Sequence, residues 1–570
     1  MLEKKINVKR ILYLFLIGYI FFTFLSIIKT LIVSSDIDEA YAVAQAYRLL
    51  HGDKILLDMW EPHQFSSYLP AIFMKIFIEI TGGTDYIVIY LRIIGIVFHY
   101  ILGFWLYKIS SQFVGKIESL FITLLHANFL AKWIQIPEFE LMHYWYLLIV
   151  FLCLISYYHI SSKSRYLIIS GIFMMLQLCN YPTMILLYPF YMLGIFKMNK
   201  NRLKEIFIST ISATIPGIIF IGYLFSYMNL EKFMRSLSFV MSDPSHMERK
   251  LSERMFDFCI SATKDIGMLT ISFGIIFILL YILYKEKKNI KQILIVTFFI
   301  SIILWCFIQI IGCLFFDKNQ FYLQNRYLLI SIFGIYIYSI SKKRELSIYW
   351  FGIIPGFISL ISTLLVTNMT LNVAFSKLFI CVLSCFLLVF INQKNDRENY
   401  KDIKLISYFS CSTLLLSLIL CKLVLIRVTG CLPVTINAKL EKVEVGPLRG
   451  IYMVERTAST INKNFKLVKE YINKNDNFLY FGCENMIYLC TDANISAASV
   501  QGTSVFNEDF LNYFEEHPEK YPTVIAVDKN FNTDYYMVYN PYNYIVNEWI
   551  EKEYEYNKKI ESEDMILYFK

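Results

Sequence analysis

The sequence predicts a polytopic α-helical membrane protein of about 13 transmembrane helices with a small extracytoplasmic α/β domain at its C-terminus. Hydrophobic residues make up 56% of the 570-residue chain, and the mean hydropathy is +0.50, well above that of a soluble domain. Up to about residue 428 the chain is mostly apolar runs of roughly 17 to 25 residues, the length that crosses a bilayer as a helix. Beyond that point charged residues become frequent, and the pattern changes to alternating helices and short apolar strands.

The N-terminus is predicted to be a retained cytoplasmic anchor. Lys4, Lys5, Lys9 and Arg10 precede the apolar run 11–33. This run is too long for the apolar core of a secretory signal and lacks a small-residue cleavage site, so we expect it to stay in the membrane.

The remaining spans follow from apolar runs and from the positions of lysine and arginine. With the N-terminus inside, every short basic loop lies on the cytoplasmic side, as the positive-inside rule requires. This holds only if the apolar stretch Phe65–Ile80 does not cross the membrane. The protein is therefore expected in the cell membrane with its C-terminal domain outside. The predicted spans are 11–33, 86–108, 117–136, 139–159, 165–180, 182–198, 205–228, 266–284, 291–316, 324–341, 346–367, 373–392 and 404–428.

Two domains are predicted, a transmembrane domain at 1–430, whose first external loop is 34–85, and a soluble domain at 431–570. In the soluble domain two buried strands alternate with segments of helical spacing, which indicates a small α/β domain. The helical segments are 457–473 and 485–490, and the strands are 477–482 and 522–528.

Three carboxylates, Asp36, Asp38 and Glu39, directly follow the first span. Carboxylates at a membrane exit are costly to hold near lipid and need an explanation. One explanation is helix capping, because Asp is a favoured N-cap residue and Glu suits the first helical turn. Capping needs a single carboxylate, so the surplus also suggests a general base that takes a proton from an attacking hydroxyl.

The segment after this acidic cluster carries a resemblance to a known family. A juxtamembrane helix at 40–53 is followed by a proline-bearing loop, Trp60-Glu61-Pro62-His63-Gln64, and by a second apolar helix. This order resembles the first external loop of the GT-C glycosyltransferases, among them the protein O-mannosyltransferases and the lipid A aminoarabinose transferases. The match is best over roughly the first 110 residues.

The resemblance implies an inverting transferase at the outer face of the membrane. Such an enzyme moves a sugar from a polyprenyl-phosphate donor to a cell-surface glycan, glycolipid or protein. The family's acidic motif aligns best on Asp38-Glu39, which makes Asp38 the expected general base and Asp36 a second choice as helper or metal ligand.

The leaving group of such a donor is a lipid phosphate, which calls for cationic groups at the membrane face. Arg326-Tyr327, at the start of a span, resembles an Arg-Tyr pair of GT-C proteins and is the first candidate. The alternative is an interfacial arginine anchor with tyrosine in the aromatic belt. Lys132, near the end of its span, is the second candidate.

Other polar groups are expected to line the same cavity. Glu61 and His63 lie where relatives carry a basic or proline-rich motif, although the family's lysine is absent here. Glu140 is placed to hold acceptor or metal, whereas Glu138 is expected in a solvated turn. Tyr181 belongs to a turn that resembles a recurring external turn of these proteins.

A divalent cation is possible, with Asp36 and Glu140 as candidate ligands, and the cofactor is otherwise unknown. The chain has no glycine-rich phosphate loop, so no nucleotide is expected, and nothing in it indicates a nucleic-acid partner. Membrane lipid is an expected partner, and the residue usage suggests a bacterium with an AT-rich genome.

Two other function classes stay open. A polysaccharide polymerase or ligase would also have about a dozen spans with external loops. A lipid-linked sugar transporter would carry charges near the bilayer midplane, whereas charges here gather at the span ends.

Overall fold

A computed structural model describes residues 8–129, 131, 135–198, 202–241, 250–286, 290–315, 325–341, 345–366, 374–395, 397–424, 426–427, 433–434, 438–482, 484–500, 509–529 and 543–570. The membrane part is a bundle of helices. They are α1 (Val8–Ile32), α2 (Ile37–Leu50), α3 (Tyr68–Thr81), α4 (Ile87–Phe113), α5 (Lys116–Asn128), α6 (Phe139–His159), α7 (Ser164–Asn180), α8 (Leu187–Met198), α9 (Arg202–Leu224), α10 (Leu230–Met241), α11 (Leu251–Tyr284), α12 (Ile290–Phe315), α13 (Asn325–Ile340), α14 (Leu346–Ile348), α15 (Ile354–Val366), α16 (Phe379–Asn395) and α17 (Arg397–Val424).

Short turns of other helix types connect some of these elements. Three 3₁₀ turns and one π-helical turn lie at Gln64–Ser67, Pro182–Leu186, Phe375–Leu378 and Tyr349–Ile353. The π-helical turn joins α14 to α15, so the predicted span 346–367 is helical along its described length.

Each of the 13 predicted spans has a helical counterpart, which confirms the predicted fold class. Nine helices of the described chain are long and apolar enough to cross a membrane, and two more apolar helices, Pro182–Met198 and Arg326–Ile340, are shorter. Their outer faces carry isoleucine, leucine and phenylalanine, and none of the span Ile266–Tyr284 is buried inside the protein. Such faces require lipid around them.

The stretch predicted not to cross forms α3, which has 14 residues. At about 1.5 Å per residue this helix is roughly 21 Å long, shorter than a hydrocarbon core of about 30 Å. Helix α3 is therefore shorter than the hydrocarbon core, as is α5 with 13 residues.

Several helices differ from their predicted bounds. Helix α11 begins at Leu251 instead of 266, and α17 begins at Arg397 instead of 404. Helix α5 is shorter than predicted. The sequence predicts a helix over 117–136, but α5 ends at Asn128. The Asn128 side chain donates to the Leu124 carbonyl and to Thr23 Oγ1 on α1, both at 2.9 Å. Asn128 thus fixes the end of α5 to α1, and the apolar pattern of the sequence does not reveal this contact.

Two histidines join α4, α5 and α6 inside the bundle. Trp145 Nε1 donates to His99 Nδ1 at 3.0 Å, so the proton of His99 is on Nε2, which donates to the His126 carbonyl at 2.7 Å. His126 Nε2 donates in return to the His99 carbonyl at 2.8 Å, and its Nδ1 accepts from Tyr144 at 2.6 Å. Both rings are neutral and fully hydrogen-bonded, which fits a structural role.

The C-terminal part contains a five-stranded mixed sheet. Its strand order is β6-β5-β7-β9-β8, with β6, β5 and β7 parallel and β9 antiparallel to both of its neighbours. Two shorter antiparallel pairs, β1 with β2 and β3 with β4, precede it. The elements are β1 (Ile426–Arg427), β2 (Pro433–Val434), β3 (Leu440–Lys442), β4 (Tyr452–Val454), α18 (Glu455–Tyr471), β5 (Asn477–Phe481), β6 (Asn494–Ile495), α19 (Asp509–Glu516), β7 (Val524–Asp528), α20 (Asn543–Lys552), β8 (Lys558–Glu561) and β9 (Met565–Phe569).

The predicted helices and strands of this domain are confirmed with one refinement. Residues Asn485–Cys490 form a 3₁₀ helix instead of an α-helix, and this 3₁₀ helix packs against α2. The first external loop is therefore covered by the C-terminal domain.

Candidate functional site

Asp36 caps α2. Its Oδ1 accepts a hydrogen bond from the Asp38 backbone N–H at 3.0 Å. Asp36 is only 4% exposed. An aspartate in this position satisfies a backbone donor that the helix leaves open. The capping interpretation therefore holds for Asp36.

Glu39 is engaged in a buried ion pair. Both of its carboxylate oxygens accept hydrogen bonds from Arg92 of α4, at 2.7 and 2.5 Å. The same guanidinium also donates to the carbonyls of Thr30, Leu31 and Ser34. Because this bidentate pair ties α2 to α4 and to the end of α1, its geometry favours a positioning role for Glu39 over contact with substrate.

Asp38 differs from its two neighbours in its exposure. It is half-buried, whereas Asp36 and Glu39 are buried. Its negative charge acts on Tyr181, in the turn between α7 and α8. Helix α2 thus brings Asp38 to a turn that lies about 140 residues further along the chain.

Tyr181 is the centre of a buried polar cluster, which we call the Tyr181 cluster and define as Tyr181, Glu140 and Lys377. The Tyr181 hydroxyl donates to Glu140 Oε1 at 2.5 Å, and Lys377 Nζ donates to Glu140 Oε2 at 2.5 Å. The ammonium also lies over the Tyr181 ring, 4.2 Å from its centroid. Burial, and then the nearby Glu140 carboxylate, raise the pKa of Tyr181 well above its usual value, so its hydroxyl stays protonated and remains a donor.

The N-terminus of α6 holds Glu140 in place. Glu138 caps this helix, accepting from the backbone N–H groups of Glu140 at 2.7 Å and Leu141 at 2.6 Å. The prediction that Glu138 lies in a solvated turn is wrong, because the residue is fully buried. From the sequence alone, a buried glutamate that caps a helix after a proline cannot be distinguished from a glutamate in a solvated turn.

His63, in the first external loop, packs against the Tyr181 cluster. Its ring stacks on Phe139 with centroids 4.1 Å apart and meets the Tyr181 ring at 4.6 Å. The backbone of His63 is left-handed, with φ of 60°, a conformation in which a residue other than glycine needs support from its surroundings. The stacking on Phe139 supplies that support.

The structure thus brings Asp38, His63 and Glu140 close to Tyr181. Lys377 is the member that sequence reasoning missed. The available signal was a single lysine at the start of an otherwise apolar span, 375–391, since an ionisable residue at such a place is usually functional or paired.

Glu61 lies elsewhere. It is fully buried, and one of its oxygens, Oε2, accepts from Ser499 Oγ and from the Val500 N–H, both at 3.0 Å. Arg48 approaches the other oxygen at 3.4 Å and binds Asp53 at 2.7 Å. Burial raises the pKa of Glu61, and Arg48 opposes this effect. Glu61 therefore connects the first external loop to the C-terminal domain.

Arg326 and Tyr327 lie at the start of α13. Arg326 Nη2 donates to the Trp305 carbonyl at 3.1 Å, and the Tyr327 ring meets Phe379 at 5.3 Å. Both residues are buried. The other predicted cation, Lys132, lies outside the described residues.

The two candidate metal ligands, Asp36 and Glu140, have other partners in the described structure. Within the described part of the chain no group of three or more His, Cys, Asp or Glu side chains is arranged to hold a metal. Asp36 caps a helix, and both oxygens of Glu140 already bind Tyr181 and Lys377.

No protein-family model matches the chain, and no curated protein matches it either. Solved structures of an oligosaccharyltransferase from Archaeoglobus fulgidus are similar in fold. The complex of this enzyme, AglB, with an inhibitory peptide and a dolichol-phosphate has a TM-score of 0.46 at 10% identity, over 92% of this chain and 70% of that chain.

Two further structures of the Archaeoglobus fulgidus enzyme give similar values. The form tethered to an acceptor peptide with the NVT sequon by a disulfide has a TM-score of 0.45 at 11% identity, over 91% of this chain and 70% of that one. The apo form has a TM-score of 0.43 at 12% identity, over 94% and 71%.

Proposed function

We propose that this protein is a membrane glycosyltransferase that moves a sugar from a polyprenyl-phosphate donor to a cell-surface acceptor. The observation that carries the proposal is the half-buried Asp38 carboxylate, held by a capped and ion-paired helix beside the Tyr181 cluster. Asp38 is thus a preorganised base just after a membrane helix, and buried polar groups border it. In our proposal the lipid-linked sugar and the polar acceptor meet at this carboxylate.

In the proposed reaction the acceptor hydroxyl attacks the anomeric carbon of the donor sugar. Asp38 takes the hydroxyl proton, the new bond from acceptor oxygen to carbon forms, and the bond from the anomeric carbon to the phosphate oxygen breaks. A single displacement of this kind inverts the anomeric centre. The phosphate leaves with the electron pair, and we assign Arg326 to stabilise its charge.

The Tyr181 cluster supports the reaction by its charge balance. Lys377 neutralises Glu140, and the Tyr181 hydroxyl shares the same carboxylate. Asp38 is the most exposed of the three predicted catalytic carboxylates, Asp36, Asp38 and Glu39. We propose that Tyr181 and His63 line the sugar or acceptor side of the cavity.

The test is the Asp38→Asn variant in cells of the host. We expect loss of transfer by at least a hundredfold, because the amide cannot accept the hydroxyl proton. One polyprenyl-phosphate sugar should then accumulate, and one surface glycan decoration should disappear. Lipid extracts and surface glycans, both read by mass spectrometry, measure these two effects and identify donor and acceptor.

Asp85→Asn is the matched control. Asp85 lies in the same loop, but it pairs with Arg449 and Lys469 on the surface. The Asp85→Asn variant should leave the polyprenyl-phosphate sugar and the surface glycans unchanged. Unchanged pools with Asp38→Asn at normal protein level would refute the base assignment, and sugar uptake into vesicles without a glycan product would favour transport.

A further inference from the structure

Helix α10 has an apolar face that is open to its surroundings. Leu230 and Met234 are 62% and 54% exposed, and their spacing of four residues places them on one side of the helix. Phe233 and Ser236 lie on the side that packs against the protein. Adjacent exposed apolar side chains lose the stabilisation of burial and therefore mark a contact surface.

Helix α9 brings this face to the membrane surface. Its 23 residues extend over roughly 34 Å, about the thickness of the hydrocarbon core, so its end at Leu224 lies near the headgroup layer. Residues 225–229 connect it to α10, and even fully extended they reach at most about 18 Å. The backbone N–H groups of Tyr227 and Met228 donate to the Leu224 carbonyl at 3.3 and 3.2 Å. These turns shorten the connection further.

The open face of α10 continues a surface that faces lipid. Ile218 and Ile221 on α9, and Phe225 just after it, are exposed like the outer residues of the other spans. The Phe225 ring meets the ring of Phe233 on α10, with centroids 5.5 Å apart. Because α10 folds back on the end of a lipid-facing helix, the lipid around α9 is next to α10 as well.

A polar side of α10 contacts the C-terminal domain. Arg235 forms an ion pair with Glu516 of α19, and its guanidinium lies over the Trp60 ring, 5.7 Å from the centroid. Trp60 also meets the ring of Tyr513 on α19 at 5.2 Å, and its backbone N–H donates to the Ala498 carbonyl at 2.8 Å. Arg235 thus connects α10 both to the domain and to the first external loop.

We propose that α10 is an interfacial helix, which lies in the lipid headgroup layer with Leu230 and Met234 toward the acyl chains, and that Arg235 links this membrane contact to the C-terminal domain. The partner is the lipid surface itself. Glu231, Lys232 and Arg235 are the charged residues of α10, and Arg235 is engaged by the domain. The other two charges cancel, so apolar burial holds the helix and attraction to anionic headgroups contributes little.

This arrangement gives the C-terminal domain a support at the membrane. The Arg235 side chain is 54% exposed in its pair with Glu516, and an ion pair of this kind is weak by itself. It holds the domain only if α10 is itself fixed. Burial of Leu230 and Met234 in lipid fixes the helix, and the ion pair transmits this constraint to α19. The anchoring does not depend on the proposed transfer reaction.

The first test is photocrosslinking of the full-length protein in nanodiscs of dioleoylphosphatidylcholine. A benzophenone amino acid replaces Met234, and in the matched control it replaces Lys232, about 160° away around the same helix. Intact-protein mass spectrometry after irradiation measures the adduct with phospholipid. We expect at least fivefold more adduct from position 234 than from position 232. Equal adduct from both positions, or none from 234, would overturn the membrane contact.

The second test is hydrogen exchange in the same nanodiscs. Met234→Asp puts a charge on the open face, and we expect the amides of α19, 509–516, to exchange at least threefold faster. Lys232→Asp is the control and should keep the wild-type rate. Both aspartates lie in the first half of α10, toward the end of a helix that favours negative charge, so a difference between them does not come from loss of the helix.

The link through Arg235 has its own variant. Arg235→Gln should raise exchange in α19 and leave the lipid adduct at position 234 unchanged. Wild-type exchange in Arg235→Gln, or equal exchange in Met234→Asp and Lys232→Asp, would overturn the link from the membrane to the domain. Neither test uses a donor or an acceptor. If α10 crosslinks to lipid while Asp38→Asn retains transfer, the interfacial helix stands and the base assignment fails.

Discussion

Lys377 sets the charge of the buried cluster around Tyr181. The side chains of Lys377 and Glu140 are 1% and 3% exposed, and their charged atoms are 2.5 Å apart. Breaking such a pair by removing one partner leaves a buried charge uncompensated, which generally costs about 3 to 5 kcal/mol. Replacing both partners with neutral groups is generally much less costly.

We therefore expect Lys377→Met to destabilise the protein strongly and to lower transfer. The double variant Lys377→Met/Glu140→Gln should recover most of the stability but not the activity, because the turn at Tyr181 loses the charges that orient it. Thermal unfolding in detergent and transfer assays measure the two effects. Full recovery of activity in the double variant would make the pair purely structural.

At the scale of elements, α2 is held from three sides. Asp36 caps its start, the pair of Glu39 with Arg92 fixes it to α4, and the 3₁₀ helix Asn485–Cys490 packs on it. Tyr47 of α2 donates to the Thr491 carbonyl at 2.9 Å, which adds a hydrogen bond to the same interface. The direction of Asp38 depends on all three contacts.

This interface contains a carboxyl that titrates near neutrality. Glu484, directly before the 3₁₀ helix, is 8% exposed. Burial raises its pKa to about 8, the backbone of Met486 opposes the shift, and the nearby Glu39 adds to it. The folded state thus holds a proton that the unfolded chain, with an ordinary glutamate, has released. The stabilising effect is complete below about pH 4.5 and is lost as the pH rises through about 8.

We expect Glu484→Gln to remove this pH dependence. The variant should resemble wild type at pH 5 and be more stable than wild type above pH 8, because the amide cannot ionise inside the interface. Melting temperatures across pH 5 to 9 measure the difference. Glu444→Gln, at a side chain that is 69% exposed, is the control, and a parallel pH profile for both variants would contradict the assignment.

At the scale of the whole molecule, a buried network fastens the C-terminal domain to the first external loop. Arg48 is fully buried and binds Asp53, Glu61 and the Ala498 carbonyl, and Lys520 also pairs with Asp53. On the other side, Ser499 and Val500 donate to Glu61. Because every charge in this network has a partner across the interface, the two parts are expected to unfold together.

We expect Glu61→Gln to weaken this docking. The amide keeps one acceptor but loses the charge opposite Arg48, a change that generally costs about 1 to 3 kcal/mol. Hydrogen exchange at 496–500 should rise, together with proteolysis between the two parts. Lys463→Gln, which removes a surface pair with Glu563, is the control and should have little effect. Unchanged exchange in Glu61→Gln would show that other contacts hold the domain.

The sequence by itself determined the fold class, the span positions and the main elements of the soluble domain. The length of an apolar run, the position of a basic loop and the alternation of a strand are local properties of the sequence. They predict structure well here because lipid imposes the same requirement on every membrane helix. The sequence also marked Asp36, Asp38 and Glu39 as unusual, since charge beside lipid needs a reason.

Only the tertiary structure divided the roles within that acidic cluster. Asp36 became a cap, Glu39 a partner of Arg92, and Asp38 the carboxylate directed to Tyr181. It also placed Glu61 at the domain interface and added Lys377 to the polar cluster at Tyr181. These assignments depend on contacts between residues that are tens to hundreds of positions apart in the chain. The role and the energetic cost of a buried charge depend on its spatial partner, which a local sequence pattern does not reveal.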